Sequence, residues 1–239
     1  GALALISLRW PFYVQAVIAS IAVPAALTLF EPDRSSAKEK KSSVRHLAGI
    51  VYRIVFKEKD LRFNLLLSSI IGAATLQMAW FAQPLFEKML LPLALFGTVW
   101  TSLNLITGGS SIVAHRIEHA MGERRLLILI AITIPVFMII SGMIPPAFII
   151  PLLALFYMLR GIATPVLKNY INRHTGSEIR ATVMSLRDLT IRVFFAMLAP
   201  LAGYFTDHHS LGAGLAISGT IILILSATTL TLFLGYSRR

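Results

Sequence analysis

Seven stretches of about twenty mostly apolar residues recur along the chain, the length that a helix rising about 1.5 Å per residue needs to cross a hydrocarbon layer roughly 30 Å thick. They run Trp10–Phe30, Phe63–Phe86, Pro92–Ala114, Leu126–Ile144, Ala147–Lys168, Ala181–Phe205 and Leu211–Gly235. Inside lipid every backbone N–H and C=O must be satisfied within the protein, so such runs are expected to be helices. Charged residues make up 14% of the chain and apolar ones 56%, against roughly 25% charged in soluble domains. The expected class is therefore an all-α integral membrane protein, a helical bundle of about seven transmembrane spans. The third to seventh spans are joined by short loops, which favours antiparallel neighbours in one bundle.

The formal net charge of +11 would suit a nucleic-acid binder if the basic residues formed one patch. They lie between the apolar runs instead, and no nucleic-acid partner is expected. The absence of cysteine removes disulfides, thiolate metal sites and cysteine nucleophiles from consideration. The opening residues GALALISLRW have no initiator Met, no basic n-region and no small-residue cleavage site. They read as neither a signal peptide nor an ordinary start, and the chain is expected to begin within a longer protein.

Basic residues also set the expected sidedness, because Lys and Arg are retained on the cytoplasmic side. The segment between the first two spans carries Arg34, Lys38, Lys40, Lys41, Arg45, Arg53, Lys57, Lys59 and Arg62. Arg116, Arg124 and Arg125 follow the third span, Lys168, Arg173 and Arg180 the fifth, and Arg238 and Arg239 close the chain. The alternate loops hold little beyond Arg9 and Lys88. The first residue is expected outside, the central linker and carboxy terminus in the cytoplasm, and the membrane to be the inner, or cell, membrane. The linker Glu31–Ser43 is polar and expected to be flexible. After it, Val44, Leu47, Val51, Ile54 and Val55 recur at helical spacing among Arg45, Arg53 and Lys57. That pattern predicts an amphipathic helix, either on the inner membrane surface or extending the second span.

Four segments carry a resemblance: LRWPFYVQAVIA before the basic linker, GSSIVAHRIEHAMGERR after the third span, FYMLRGIATPVLKNYIN in the fifth, and RATVMSL followed by PLAGYFTD in the sixth. In order, spacing and sidedness the layout resembles the central loop and carboxy-terminal half of a major facilitator superfamily transporter. The resemblance implies that residues 1–30 are the last span of an amino-terminal half whose remainder is missing. It implies that residues 31–59 are a cytoplasmic basic linker and that residues 60–239 are a six-helix bundle. It further implies alternating access, with two halves rocking about a midplane site, and partners consisting of the bilayer, the missing half, a small-molecule substrate and protons. Gly109, Arg116, Gly122, Arg124 and Arg125 fit the superfamily's cytoplasmic loop motif, whereas His115 stands where an Asp is expected.

Ionisable residues inside spans are costly and point to function. The stretch Val193–Thr206 is too short to cross the core, so with Asp207 at the outer edge Arg187 and Asp188 fall at the inner boundary, and Arg192 lies about 8 Å inside it. Counting from Ala147 puts Arg160 about 20 Å deep, in the same layer. Asp188 and Arg192 are four apart, the spacing of a helix-face ion pair. Either they neutralise one another while Arg187 reaches the headgroups, or Arg160 competes for Asp188 and the network Arg160, Asp188, Arg192 is an inner gate. Two nearby cations should keep Asp188 ionised, which argues against its carrying a proton.

Gln77, Trp80 and Phe81 share a face of the second span, and Trp100, Asn104, Gly108 and Ser111 a face of the third. Tyr157, Arg160 or Gly161, Thr164 and Lys168 align in the fifth. Because the second and fifth spans line the cavity in the superfamily, Gln77, Trp80, Phe81, Asn104, Tyr157 and Arg160 are the expected substrate contacts. Their aromatic content suits an amphipathic substrate and Arg160 an anionic group. Pro165 and Pro200 are candidate hinges. The run Asp207–His209 reads as an outer polar turn, and neither a metal nor a cofactor is expected.

The expected function is that of a secondary active transporter, proton-coupled and an exporter by analogy with the superfamily. A seven-span receptor or sensory protein is the alternative, although the seventh span has no Lys to hold retinal. An intramembrane enzyme is third, since the spans hold no paired carboxylates, no His and no HExxH motif, and no catalytic residues are expected.

Overall fold

The computed structural model describes residues 6–7, 9–28, 49, 51–52, 54 and 57–236. Its helices are α1 (Trp10–Leu27), α2 (Lys59–Lys88), α3 (Leu93–Met121), α4 (Glu123–Met143), a 3₁₀ turn over Pro146–Phe148, α5 (Ile149–Arg173), α6 (Arg180–His208) and α7 (Leu211–Tyr236), and no strand occurs among the described residues. Helices α2, α4, α5, α6 and α7 are long and apolar enough to cross a membrane, and α1 is a shorter apolar helix. The expectation of seven spans thus resolves into seven helices of which five meet both criteria. Helix α3 has the length, at 29 residues, but Thr98, Thr101, Ser102, Asn104, Thr107 and the run Gly108–Ser111 dilute its apolar content. The linker Glu31–Ser43 and Arg238–Arg239 lie outside the described residues.

Packing does not follow chain order. Helix α4 packs most extensively on α7 and α3 on α5, while α2 lies centrally against α4, α5, α6 and α7. The expectation that consecutive helices are the neighbours holds for α6 and α7 and fails for α5 and α6, which make little contact with each other. Side-chain size accounts for the closest approaches. A methyl group on Gly142 would lie 2.5 Å from the carbonyl oxygen of Gly212, so α4 and α7 meet backbone to backbone there. Gly161 likewise sits against the Thr107 carbonyl and Ser110 of α3. Such small-residue contacts replace the hydrophobic drive that is absent between helices in lipid. Polar bonds lock the pairs: Thr107 Oγ1 donates to the Tyr157 carbonyl at 3.1 Å, Ser226 Oγ to that of Ala131 at 2.8 Å, and Gln77 Nε2 to Ser218 Oγ at 2.9 Å.

Two connections are tight. Helix α2 ends with Leu91 N–H bonded to the Phe86 carbonyl and Leu90 N–H to that of Glu87, the paired bonds of a Schellman cap. Its left-handed position, φ 55°, is held by Leu90 in place of the usual Gly. Between α3 and α4 the reversal is made at Gly122, with φ 79° and ψ 151°, a conformation reached almost only by glycine. The expected cytoplasmic loop motif is therefore largely helical: Gly109 and Arg116 lie within α3, and Arg124 and Arg125 in the first turn of α4.

Of the proposed amphipathic segment, Val44, Arg45, Leu47, Arg53 and Val55 lie outside the described residues. Val51, Tyr52 and Ile54 are helical, but the helix does not run on into α2, because Lys57 and Glu58 are non-helical. Ile54 is buried with Leu61 and Leu65 of α2, Ile171 of α5 and Val183 of α6. It fills the space between the ends of three helices. The large side chains of α1, among them Phe12, Val17 and Ile21, are exposed.

Candidate substrate cavity and ion-pair network

Where α5 and α6 diverge, a cavity of about 600 Å³ opens against α2. Three helical stripes line it. Helix α5 supplies Arg160, Thr164 and Lys168 at intervals of four, α6 supplies Arg187, Asp188, Ile191, Arg192 and Phe195, and α2 supplies Gly72, Thr75 and Trp80. The spacing of i, i+4 and i+8 stacks these side chains on one face of each helix. Gly72 permits the approach of α2 to α6 at the cavity edge, since a methyl there would lie 2.5 Å from Ile191 Cδ1.

Arg187, Asp188, Arg192 and Arg160 thus share one cavity, but the i, i+4 pair between Asp188 and Arg192 is not formed. Asp188 Oδ1 accepts instead from Arg187 Nη1 at 2.9 Å. Arg187 does not reach outward to headgroups. It is 5% exposed, and its Nε donates to Ser68 Oγ of α2 at 2.6 Å. Ser69 Oγ is 3.4 Å from the Arg187 carbonyl. Ser68 turns the guanidinium inward between α2 and α6, and the adjacent carboxylate follows it. Arg192 is exposed to the cavity, and among the described residues neither Arg192, Lys168 nor Arg160 has a carboxylate partner. The Arg160 guanidinium lies over the Tyr157 ring, 5.3 Å from its centroid, a cation–π contact.

The remaining expected contacts divide. Trp80 lines the cavity, its ring 6.2 Å from that of Phe195. Gln77 is buried and faces α7 through Ser218. Phe81 is half-buried and packs on the core. Asn104 is exposed on α3, with its amide donating to the Trp100 carbonyl at 2.8 Å. Tyr157 is fully buried beneath Arg160, edge-on to Trp100 at 6.1 Å, with an unpartnered hydroxyl.

A second network joins the other ends of α3 and α5. Glu118 is buried, and its carboxylate meets Arg173 Nη2 at 2.9 Å and Asn169 Nδ2 at 3.4 Å. His115 Nδ1 lies 4.0 Å away, and Arg173 also approaches Glu123 at 3.9 Å. The acid absent at His115 is thus present one helical turn later. Its signal in the sequence is that Glu118 is the lone acidic residue of the helix.

An all-helical bundle with five membrane-length apolar helices is an integral membrane protein. A sequence model of the Major Facilitator Superfamily matches residues 1–194, and the chain belongs to that family of membrane transporters. No curated protein and no solved structure matches it. The bilayer surrounds such a protein, and a small molecule is its substrate.

Proposed function

We propose that this chain works as part of a secondary active transporter, with α1 belonging to an amino-terminal half, residues 31–59 linking the halves in the cytoplasm, and α2–α7 forming the second half. The observation that carries the reading is the polar cavity left where α5 and α6 separate. The helices on either side of it carry the charged stripes of Arg160, Lys168, Arg187 and Arg192 into that space. The exposed apolar faces of α1, and the close mutual packing of α2 with α4–α7, support the division into units.

In this reading Arg160 and Arg192 face the substrate, and the Arg187–Asp188–Ser68 link ties α6 to α2 as part of an inner gate. Ile54, wedged among Leu61, Ile171 and Val183, couples the linker to the same helix ends. Inward opening separates α6 from α2 and breaks the Ser68 bond, so alternating access becomes a choice between two packings. Asp188 is engaged by Arg187 at 2.9 Å, and the proton carrier is sought elsewhere. Proton-coupled export across the cell membrane, with linker and carboxy terminus inside, is the reading taken from the superfamily and from the basic loops.

The test replaces Arg160 with Ala in the natural-length protein and measures flux of a compound panel in proteoliposomes, with and without a proton gradient. Flux is expected to vanish while insertion and abundance stay unchanged. Wild-type flux in the variant refutes the assignment of Arg160, and insensitivity to collapse of the gradient refutes proton coupling.

A further inference from the structure

We infer that the cavity between α2, α5 and α6 selects an organic anion with a flat apolar body, an assignment that rests on the transporter reading above. The charge inventory leads to it. Arg160, Lys168, Arg187 and Arg192 line the space against the single carboxylate of Asp188, a surplus of three cations. Arg187 uses its donors on Ser68 and Asp188, whereas Arg160, Lys168 and Arg192 have no carboxylate partner among the described residues. Lys168 and Arg192 are exposed and Arg160 is partly exposed, so their charges face the space a ligand would fill, and an anion there meets charge-assisted donors from two helices.

The hydrogen-bond inventory points the same way. Arg and Lys side chains donate and cannot accept. The two hydroxyls on the cavity wall are already engaged with their own helices, Thr75 Oγ1 donating to the Gly72 carbonyl and Thr164 Oγ1 to that of Arg160, each at 2.9 Å. Their hydrogens are spent there and only their oxygens can still accept, so the donors that face a ligand are those of Arg160, Lys168 and Arg192, which outnumber the acceptors at the two hydroxyls and Asp188. That pattern matches a carboxylate, sulfonate or phosphate, and mismatches an amine.

The other wall is apolar. Trp80 and Phe195 lie with ring planes 33° apart and centroids 6.2 Å apart, leaving an aromatic surface facing the cavity. A planar ring laid there gains contact area and offset stacking, worth about 0.5–1.5 kcal/mol beyond area burial. Arg160 is held over Tyr157, which orients the guanidinium before the ligand arrives.

The same chemistry is presented by a soluble aromatic acid and by an anionic lipid headgroup, so the experiment separates them. The purified natural-length protein, in nanodiscs of phosphatidylcholine alone or with phosphatidylglycerol, is titrated calorimetrically with 1-naphthoate, 1-naphthamide and 1-naphthylmethylammonium. The naphthoate is expected to bind at least tenfold more tightly than the other two. Arg192→Gln and Arg160→Gln are each expected to weaken it at least tenfold, with the amide unaffected. Arg192 is exposed, so its replacement leaves folding intact, and thermal melting checks this.

Equal affinity for the three compounds, or unchanged naphthoate affinity in Arg192→Gln, overturns the inference. So does retention of phosphatidylglycerol that naphthoate does not displace, since the site would then hold lipid. Flux of any compound through the protein scores the transporter reading separately. A protein that moves neutral or cationic compounds without preferring anions keeps that reading and loses this one.

Discussion

Replacing Arg187 and replacing Arg192 should have very unequal consequences for stability, although both are arginines of α6 close to Asp188. Arg187 is 5% exposed and bonds Ser68 at 2.6 Å and Asp188 at 2.9 Å. A hydrogen bond from a charged donor to a buried hydroxyl contributes about 1.5–3 kcal/mol. The Asp188 side chain is 60% exposed, so its ion pair belongs at the weak end, about 1 kcal/mol. Arg187→Met, which keeps most of the volume, should therefore destabilise by about 2–4 kcal/mol. Arg192→Met, with no partner to lose, should change stability by less than about 0.5 kcal/mol.

A double-mutant cycle with Asp188→Asn isolates the pairwise part. The coupling to Arg187 should be about 1 kcal/mol and shrink with added salt, because the carboxylate is exposed. The coupling to Arg192 should be near zero. The assay is equilibrium unfolding in detergent micelles, each variant referred to the wild type. A larger coupling at Arg192 than at Arg187 would show that the helix-face pair exists after all and refute the geometry argued for α6.

Three further outcomes follow from other sites. Gly122→Ala forces a side chain into the glycine-only conformation between α3 and α4 and should cost about 1–3 kcal/mol, read as a lower melting temperature; an unchanged value would mean the reversal is not made there. Glu118→Gln leaves Arg173 without its closest carboxylate and should destabilise by about 1–3 kcal/mol, with a sub-additive effect when combined with Arg173→Met; full additivity would refute the contact between α3 and α5. Leu90→Gly relieves a left-handed residue that is 90% exposed, and should stabilise the protein by up to about 1 kcal/mol; destabilisation would indicate that the Leu90 side chain is itself a contact.

Much of the protein was legible in the chain alone because its strongest constraints are local. Apolar runs of membrane length must become helices, since no other structure satisfies their backbone in lipid. That determined the class and, among the described residues, most of the extents of the long helices. Depth counting at a constant rise per residue put Arg160 and Arg192 in one layer, and both line the same cavity.

Which way a side chain turns, and what meets it, depends on helices distant in sequence. Only the tertiary structure decided that Arg187 reaches Ser68, more than a hundred residues away, and takes Asp188 from Arg192. It decided that Gln77 faces Ser218 and away from the cavity, and that Tyr157 lies beneath Arg160 and does not line the space. Glu118 gained its role from Arg173 and Asn169 across an interface that spacing cannot reveal. Periodicity assigns a residue to a face of its own helix. The neighbour of that face is set by where small residues such as Gly142, Gly161 and Gly212 let backbones meet, and the cavity lies where α5 and α6 do not.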